Sequence, residues 1–142
     1  MRNLMLGAAI GLMAGSASAD SLTYPFEGSF EDATFAVEAA IVGRGLVVDY
    51  VSHVGEMLNR TGADVGSDVT IFDAADIFVF CSAVVSRQVM EADPMNIAYC
   101  PYGIFVVDRG GEVMIGHDTY PEGAMQAVQT LLTEIAQEAA GN

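Results

Sequence analysis

The two cysteines, Cys81 and Cys100, are the residues of this sequence with the most reactive side chains, and they lie 19 positions apart. An apolar run, IFVF, leads directly into Cys81, and a second run, YGIFVV, begins just after Cys100. Since short apolar runs of this kind are typical of buried strands, we expect both sulfur atoms at the ends of neighbouring strands with a helix between them. A disulfide between them would close a loop worth on the order of 3 kcal/mol in the chain-entropy model.

Three states of these cysteines are compatible with the sequence. Cysteine pairs in exported proteins commonly form a disulfide. Alternatively, Cys81 precedes a predicted helix, whose N-terminal dipole could lower the thiol pKa and make Cys81 a nucleophile or a ligand for a soft metal. The third state is two inert, buried thiols. The chain contains no Cys-x-x-Cys motif, so neither thioredoxin-type exchange nor covalent c-type haem attachment is indicated.

Four other side chains are candidates for binding near the cysteines. His53 and His117, taken with Cys81 and Cys100, are the residue types that bind copper or another soft metal, but their spacing matches no motif and we predict no cofactor. Ser82 and Arg87 belong to the predicted helix that follows Cys81. Arg87 is placed either to bind an anion beside Cys81 or to pair with Glu91 one helical turn later.

The charge of the chain excludes several classes of function. It carries 19 acidic residues against 5 basic ones, for a formal net charge of −14, and all five basic residues are arginines. A surface of this kind repels nucleic acid and anionic lipid, because both are bound through lysine and arginine. The sequence also lacks a glycine-rich phosphate loop and the motif of a serine hydrolase.

The first nineteen residues have the composition of a cleavable signal peptide. Arg2 is followed by an apolar run, 4–13, and Ala17-Ser18-Ala19 matches the small-x-small pattern that signal peptidase cuts. We therefore predict cleavage after Ala19 and a periplasmic or secreted protein without a membrane segment. Removal of residues 1–19 takes away one arginine and no acidic residue, so the mature chain is one unit more negative.

Residues 20–142 are predicted to form a single α+β domain, a mixed sheet of about five to six strands packed by three to four helices. A capping-box pattern at Thr119 and Glu122 predicts the start of the last helix. Ser29 and Ser82 are the predicted N-caps of the first and third helices. The predicted strands are 21–27, 46–51, 69–72, 77–81 and a hairpin of 102–108 with 113–116, and the other helices are 29–44, 53–61 and 82–92.

Several segments of this pattern resemble a known family. VEAAIVGRGLVVDY, FCSAVVSR and ADPMNIAYCPYGIFVV are similar to the family named "domain of unknown function 302", over residues 30–139. The usual Cys-Asn-Pro and Leu-Pro-Cys of that family read here as Cys81-Ser82-Ala83 and Tyr99-Cys100-Pro101. The resemblance implies a compact α+β domain that is often dimeric, in an exported branch of the family, and it implies no established activity.

Three functional hypotheses follow from these observations. The first is a non-enzymatic binding or accessory protein of the periplasm, in redox, sulfur or metal handling. The second is a thiol-dependent enzyme or sulfur carrier that uses Cys81. The third is a structural homodimer in which a disulfide only braces the fold. The ligand, the partner and the state of the two cysteines stay open at the level of the sequence.

Overall fold

A five-stranded sheet forms the centre of the computed structural model, which describes residues 20–141. The predicted signal peptide, with its cut after Ala19, lies outside the described residues. Short 3-10 helices cover Ala63–Val65 and Pro94–Tyr99. The strands are β1 (Ser21–Pro25), β2 (Val47–Ser52), β3 (Ala74–Cys81), β4 (Tyr102–Arg109) and β5 (Glu112–Asp118), and the helices are α1 (Phe30–Gly43), α2 (Val54–Thr61), α3 (Ala83–Ala92) and α4 (Gln126–Ala140).

The predicted α+β class and a sheet of five strands are confirmed, but every pair of neighbouring strands in the described sheet is antiparallel, so the expectation of a mixed sheet is wrong. The strands lie in the order β1–β5–β4–β3–β2. The expected parallel pair would have been β3 and β4, which are antiparallel in the structure. A crossover helix would have made this pair parallel, whereas α3 and the second 3-10 helix bring the chain back to the same end of the sheet that it left.

Helices α1 and α4 cover one face of the sheet and enclose the core with it. Ser29 caps α1 through a capping box with Asp32, which satisfies backbone donors of the first turn. Arg44, just after α1, holds the two helices together with its guanidinium 3.0 Å from Glu134 and 2.8 Å from Glu138. The fully buried side chains of the core include Val37, Ile41, Phe80, Tyr102, Ile104, Val106, Ile115, Val128, Leu132 and Ile135.

Two predicted elements differ in the structure. Residues 69–72 form no strand, and pairing with β4 begins only at Asp73, whose N–H donates to the carbonyl of Asp108. Helix α4 begins at Gln126 instead of after Thr119, because the Thr119 hydroxyl donates to the carbonyl of Asp20 and is not used as a cap. In the part of the chain that the structure describes, no helix is both long and apolar enough to cross a bilayer.

Candidate functional site

The two cysteines meet because the chain leaves and re-enters the sheet at the same end. Cys81 is the last residue of β3, and the N–H of Val85 donates to the Ser82 hydroxyl at 3.3 Å to begin α3. After α3, the Asp93 carboxylate accepts a hydrogen bond from the N–H of Met95 and so caps the 3-10 helix Pro94–Tyr99. Cys100 follows directly, two residues before the first paired residue of β4.

The Sγ atoms of Cys81 and Cys100 lie 2.7 Å apart, and both side chains are partly exposed. The peptide bond between Cys100 and Pro101 is cis. The prediction that the two sulfurs lie at the ends of neighbouring strands with a helix between them is confirmed. These positions allow the pair to exist as a hydrogen-bonded dithiol or, with a small approach of the sulfurs, as a disulfide.

The environment of Cys81 favours its protonated form. Burial, followed by the hydrogen bond and the charge of Cys100, raises the pKa of the Cys81 thiol to about 11. A hydrogen bond from the backbone N–H of Tyr102 opposes this effect without overcoming it. Although Cys81 lies at the N-terminus of α3, the shift of its pKa is therefore opposite to the one that an activated nucleophile needs.

Three tyrosine rings pack beside the cysteines. Tyr120 lies edge-on to Tyr99, with centroids 5.9 Å apart, and edge-on to Tyr102 at 6.3 Å. The hydroxyl groups of Tyr102 and Ser86 share a hydrogen bond of 3.0 Å, which joins β4 to α3. Burial and the nearby charge of Asp118 raise the pKa of Tyr120, so this phenol stays protonated at neutral pH.

A surface cleft of about 520 Å³ opens next to the sulfur pair. Cys100 lines this cleft, and Cys81 is not among its lining residues. The cleft lies where β5 ends, β4 begins and β1 begins, so residues from distant parts of the chain share it. Its charged and aromatic lining is formed by Asp20, Tyr99, Asp118 and Tyr120.

Two predicted binding residues have structural partners instead. Ser82 is almost fully buried, and its hydroxyl serves as the N-cap of α3. Arg87 is highly exposed and places its Nε 2.7 Å from a carboxylate oxygen of Glu91. Of the two roles considered for Arg87, anion binding beside Cys81 and pairing with Glu91, the structure shows the pairing.

The two histidines lie apart from each other in different surroundings. The Nδ1 atom of His53 is 2.8 Å from the Asp76 carboxylate, and this hydrogen bond raises the pKa of the exposed imidazole. His117 is fully buried in β5, and burial lowers its pKa. Its Nδ1 donates to the carbonyl of Asp118 at 2.8 Å, so its Nε2 must accept from the Thr133 hydroxyl at 3.1 Å. This pair of hydrogen bonds fixes one neutral tautomer.

The structure brings together only two of the four candidate metal ligands, Cys81 and Cys100. Both ring nitrogens of His117 are already engaged, and His53 pairs with Asp76 near the opposite end of β3. Within residues 20–141, no group of three or more histidine, cysteine, aspartate or glutamate side chains is placed to hold a metal ion. The soft ligand set that the described residues offer is therefore the sulfur pair itself.

Sequence reasoning did not find the residues that form the cleft around Cys100. Asp20, Asp118 and Tyr120 approach it because β1 pairs with β5, with Ser21 opposite Asp118. These contacts join the start of the described residues to the segment between β5 and α4. No local signal in the sequence indicates them, because the pairing of β1 with β5 depends on the order of the strands in the sheet.

Comparisons with known proteins agree on the fold. The family model described as "Domain of unknown function DUF302" matches residues 22–142. A solved structure, described as the crystal structure of an uncharacterized conserved DUF302 protein from Bacillus stearothermophilus, is similar with a TM-score of 0.61 and 18% identity. That similarity covers 85% of this chain and 93% of the other one. No curated protein matches this sequence.

Proposed function

We infer that this chain, which belongs to the DUF302 family, is an exported accessory protein that exchanges electrons through the Cys81–Cys100 pair. The observation that carries the proposal is the contact of the two sulfur atoms, 2.7 Å apart, at the wall of an open cleft. The pair would pass between a dithiol and a disulfide in reaction with sulfur compounds outside the cytoplasm. The predicted signal peptide supports the location that this proposal assumes, which is outside the cytoplasm.

Exposure of the pair favours an active role over two inert thiols. Both cysteines are partly exposed, whereas the aromatic residues next to them in the sheet, Phe80 and Tyr102, are completely buried. Thiol–disulfide exchange requires an incoming sulfur to reach one sulfur of the pair. The cleft beside Cys100 provides that approach.

The proposed reaction is balanced as a two-electron exchange. The reduced pair reacts with a disulfide R–S–S–R to give a Cys81–Cys100 disulfide and two molecules of the thiol R–SH. One S–S bond is broken and one is formed. The two electrons and two protons lost by the cysteines are carried by the released thiols, and the reverse reaction reduces the pair with two thiols.

The high pKa of Cys81 argues against the alternative in which this residue is the nucleophile of an enzyme or sulfur carrier. A thiol with a pKa of about 11 is almost entirely protonated at neutral pH, and the thiolate is the reactive form. Cys81 is therefore expected to react slowly as the first nucleophile toward an incoming compound. This property suits an accessory protein better than a catalyst.

A redox titration tests the proposal and separates it from a bracing disulfide. The protein is equilibrated in glutathione buffers of stepped potential, the free thiols are alkylated, and the reduced fraction is read from the intact mass. An exchange-active pair should be half reduced between about −180 and −280 mV, whereas structural disulfides are typically reduced only below about −300 mV. A midpoint potential below about −300 mV would contradict the proposal. The double variant Cys81→Ala/Cys100→Ala, which has no thiol to alkylate, is the control for the mass measurement.

A further inference from the structure

We propose that the cleft beside Cys100 selects cationic disulfides over anionic ones, and that Cys100 is the sulfur these compounds meet. The inference rests on the proposed function and adds the class of substrate to it. It is carried by the charges and rings that line the cleft and by the different positions of the two sulfurs.

The charged groups of the cleft are all acidic. Asp20 and Asp118 both line it, and no arginine or histidine is among its lining residues. Cleavage after Ala19 would add one ammonium group at Asp20, which balances only one of the two carboxylates. An anionic disulfide would therefore meet repulsion at the cleft, and a cationic one would be attracted.

The arginines elsewhere in the described chain do not cancel the negative electrostatic potential at the cleft. Arg44 is paired with Glu134 and Glu138, and Arg87 is paired with Glu91. Arg109 is the last residue of β4, at the opposite end of that strand from Cys100, and Arg60 belongs to α2 and lines a different surface pocket. The chain as a whole is strongly acidic, which extends the attraction for cations beyond the cleft. Arg87, which the sequence suggested as an anion-binding residue beside Cys81, does not line the cleft.

Aromatic rings provide a second reason for the preference. Tyr99 and Tyr120 line the same cleft and pack edge-on against each other. The faces of such rings attract ammonium groups within about 6 Å of the centroid. Because the Tyr120 phenol stays protonated, it adds no negative charge of its own and remains able to donate a hydrogen bond.

The positions of the two sulfurs give each cysteine a separate role. Cys100 lines the cleft, so it is the sulfur that attacks an entering disulfide, forms a mixed disulfide and releases the first thiol. Cys81 then attacks the Cys100 sulfur, closes the intramolecular bond and releases the second thiol.

The pKa of Cys81 should change during this reaction, because two of the causes that raise it come from Cys100. They disappear once Cys100 is in the mixed disulfide, so Cys81 becomes more acidic when its attack is needed.

Three disulfides that differ in charge test this selectivity. The reduced protein is mixed at low salt with cystamine, which is cationic, with bis(2-hydroxyethyl) disulfide, which is neutral, or with dithiodiglycolate, which is anionic. Oxidation is followed by acid quenching and intact mass. Each rate is divided by the rate of the same disulfide with dithiothreitol, which removes differences in intrinsic reactivity.

We expect the normalised rate to be highest for cystamine and lowest for dithiodiglycolate, with a ratio of about tenfold or more that shrinks at high salt. Asp118→Asn should reduce this ratio roughly three- to tenfold, since it removes one charge from the cleft. Asp64→Asn makes the same charge change at an exposed residue outside the cleft and should leave the ratio almost unchanged.

Equal normalised rates for the three compounds, or equal effects of the two asparagine variants, would overturn the selectivity. A reduced pair that none of the three disulfides converts to an intramolecular bond would instead overturn the proposed function itself. The two failures are therefore distinguishable in one set of measurements.

Discussion

Phe80 of β3 lies directly opposite Tyr102 of β4, and this register sets the positions of the two cysteines. Cys81 extends one residue beyond Phe80, and Cys100 precedes Tyr102 by two residues. Since both aromatic side chains are completely buried, the backbone on each side of the sulfur pair is anchored in the core. The register of β3 and β4 thus places the two cysteines at the same edge of the sheet.

The two cysteine variants should differ in their reaction with a disulfide probe. Cys81→Ala retains the sulfur that lines the cleft and should accumulate a stable mixed disulfide with cystamine at Cys100. Cys100→Ala retains only the partly buried sulfur outside the cleft and should react at least about tenfold more slowly. Intact mass and peptide mapping give the extent and the site of modification. Faster modification of Cys100→Ala than of Cys81→Ala would contradict the assigned roles.

Stability should decrease in mild acid because of His117. Burial lowers the folded-state pKa of this imidazole, so the unfolded chain binds the proton more readily. Its contribution to stability is fully present above the unfolded pKa of about 6.5 and is lost as the pH falls through the folded pKa. Urea unfolding of the wild type and of His117→Gln at pH 7.5 and 5.5 measures this contribution. A wild-type decrease that is no larger than that of the variant would contradict this account.

Removal of the Thr133 hydroxyl should also destabilise the protein. Thr133→Val keeps the shape of the side chain but leaves the buried Nε2 of His117 without its donor, 3.1 Å away. The loss of a partner for a buried polar group typically costs about 1–3 kcal/mol in the free energy of unfolding. Thr34→Val is a suitable control, since its hydroxyl donates to a carbonyl on the exposed surface of α1. Equal effects of the two changes would contradict the proposed role of Thr133.

His53 should titrate in the opposite direction from His117. Its hydrogen bond with Asp76 raises its pKa, so it favours the folded state below the unfolded pKa of about 6.5, and that contribution is lost as the pH rises through the folded pKa. An NMR titration of the imidazole Cε1–H signals should resolve the two residues on opposite sides of the ordinary value. Asp76→Asn should lower the pKa of His53, and Asp64→Asn should not. Unchanged titration of His53 in Asp76→Asn would contradict the pairing.

Gly55 should not tolerate a side chain. A Cβ atom at this position would lie 2.5 Å from the backbone nitrogen of Ala75, where α2 crosses the start of β3. Gly55→Ala is expected to cost about 1–3 kcal/mol in the free energy of unfolding, because the backbones must separate. Gly43, the last residue of α1, has open space where a Cβ atom would lie, so Gly43→Ala should be neutral or slightly stabilising. Urea unfolding that gave similar values for both variants would contradict the close approach.

Local patterns of the sequence were sufficient for most of the fold. The hairpin of β4 and β5 was predictable because its turn contains Gly110 and Gly111, both with positive φ in the structure. The start of α4 was not predictable from Thr119, because the hydroxyl of this residue donates to the carbonyl of Asp20, 99 positions earlier in the sequence. Contacts of that kind depend on the order of the strands, which hydrophobic periodicity does not encode.

The candidate site could be predicted only in part: the sequence indicated the sulfur pair but not the other residues of the cleft. Cys81 and Cys100 could be placed together because each adjoins an apolar strand and a helix separates them. One of the three alternatives drawn from the sequence was a Cys81 thiol whose pKa is lowered by the helix that follows it, but burial and the second sulfur raise that pKa instead. Asp118 and Tyr120 enter the site through the pairing of β1 with β5, so no local pattern indicated them.

The most direct test of the proposed electron exchange is the intact mass of the protein isolated from the periplasmic or secreted fraction, where the proposal places it. Free thiols are blocked with an alkylating agent during lysis, and a second sample is first equilibrated with reduced glutathione. We expect a chain that begins at Asp20, two hydrogens lighter than the reduced form and unmodified, which gains two alkyl groups after glutathione treatment. A chain with both thiols alkylated at isolation, or a disulfide that excess glutathione does not open, would contradict the account.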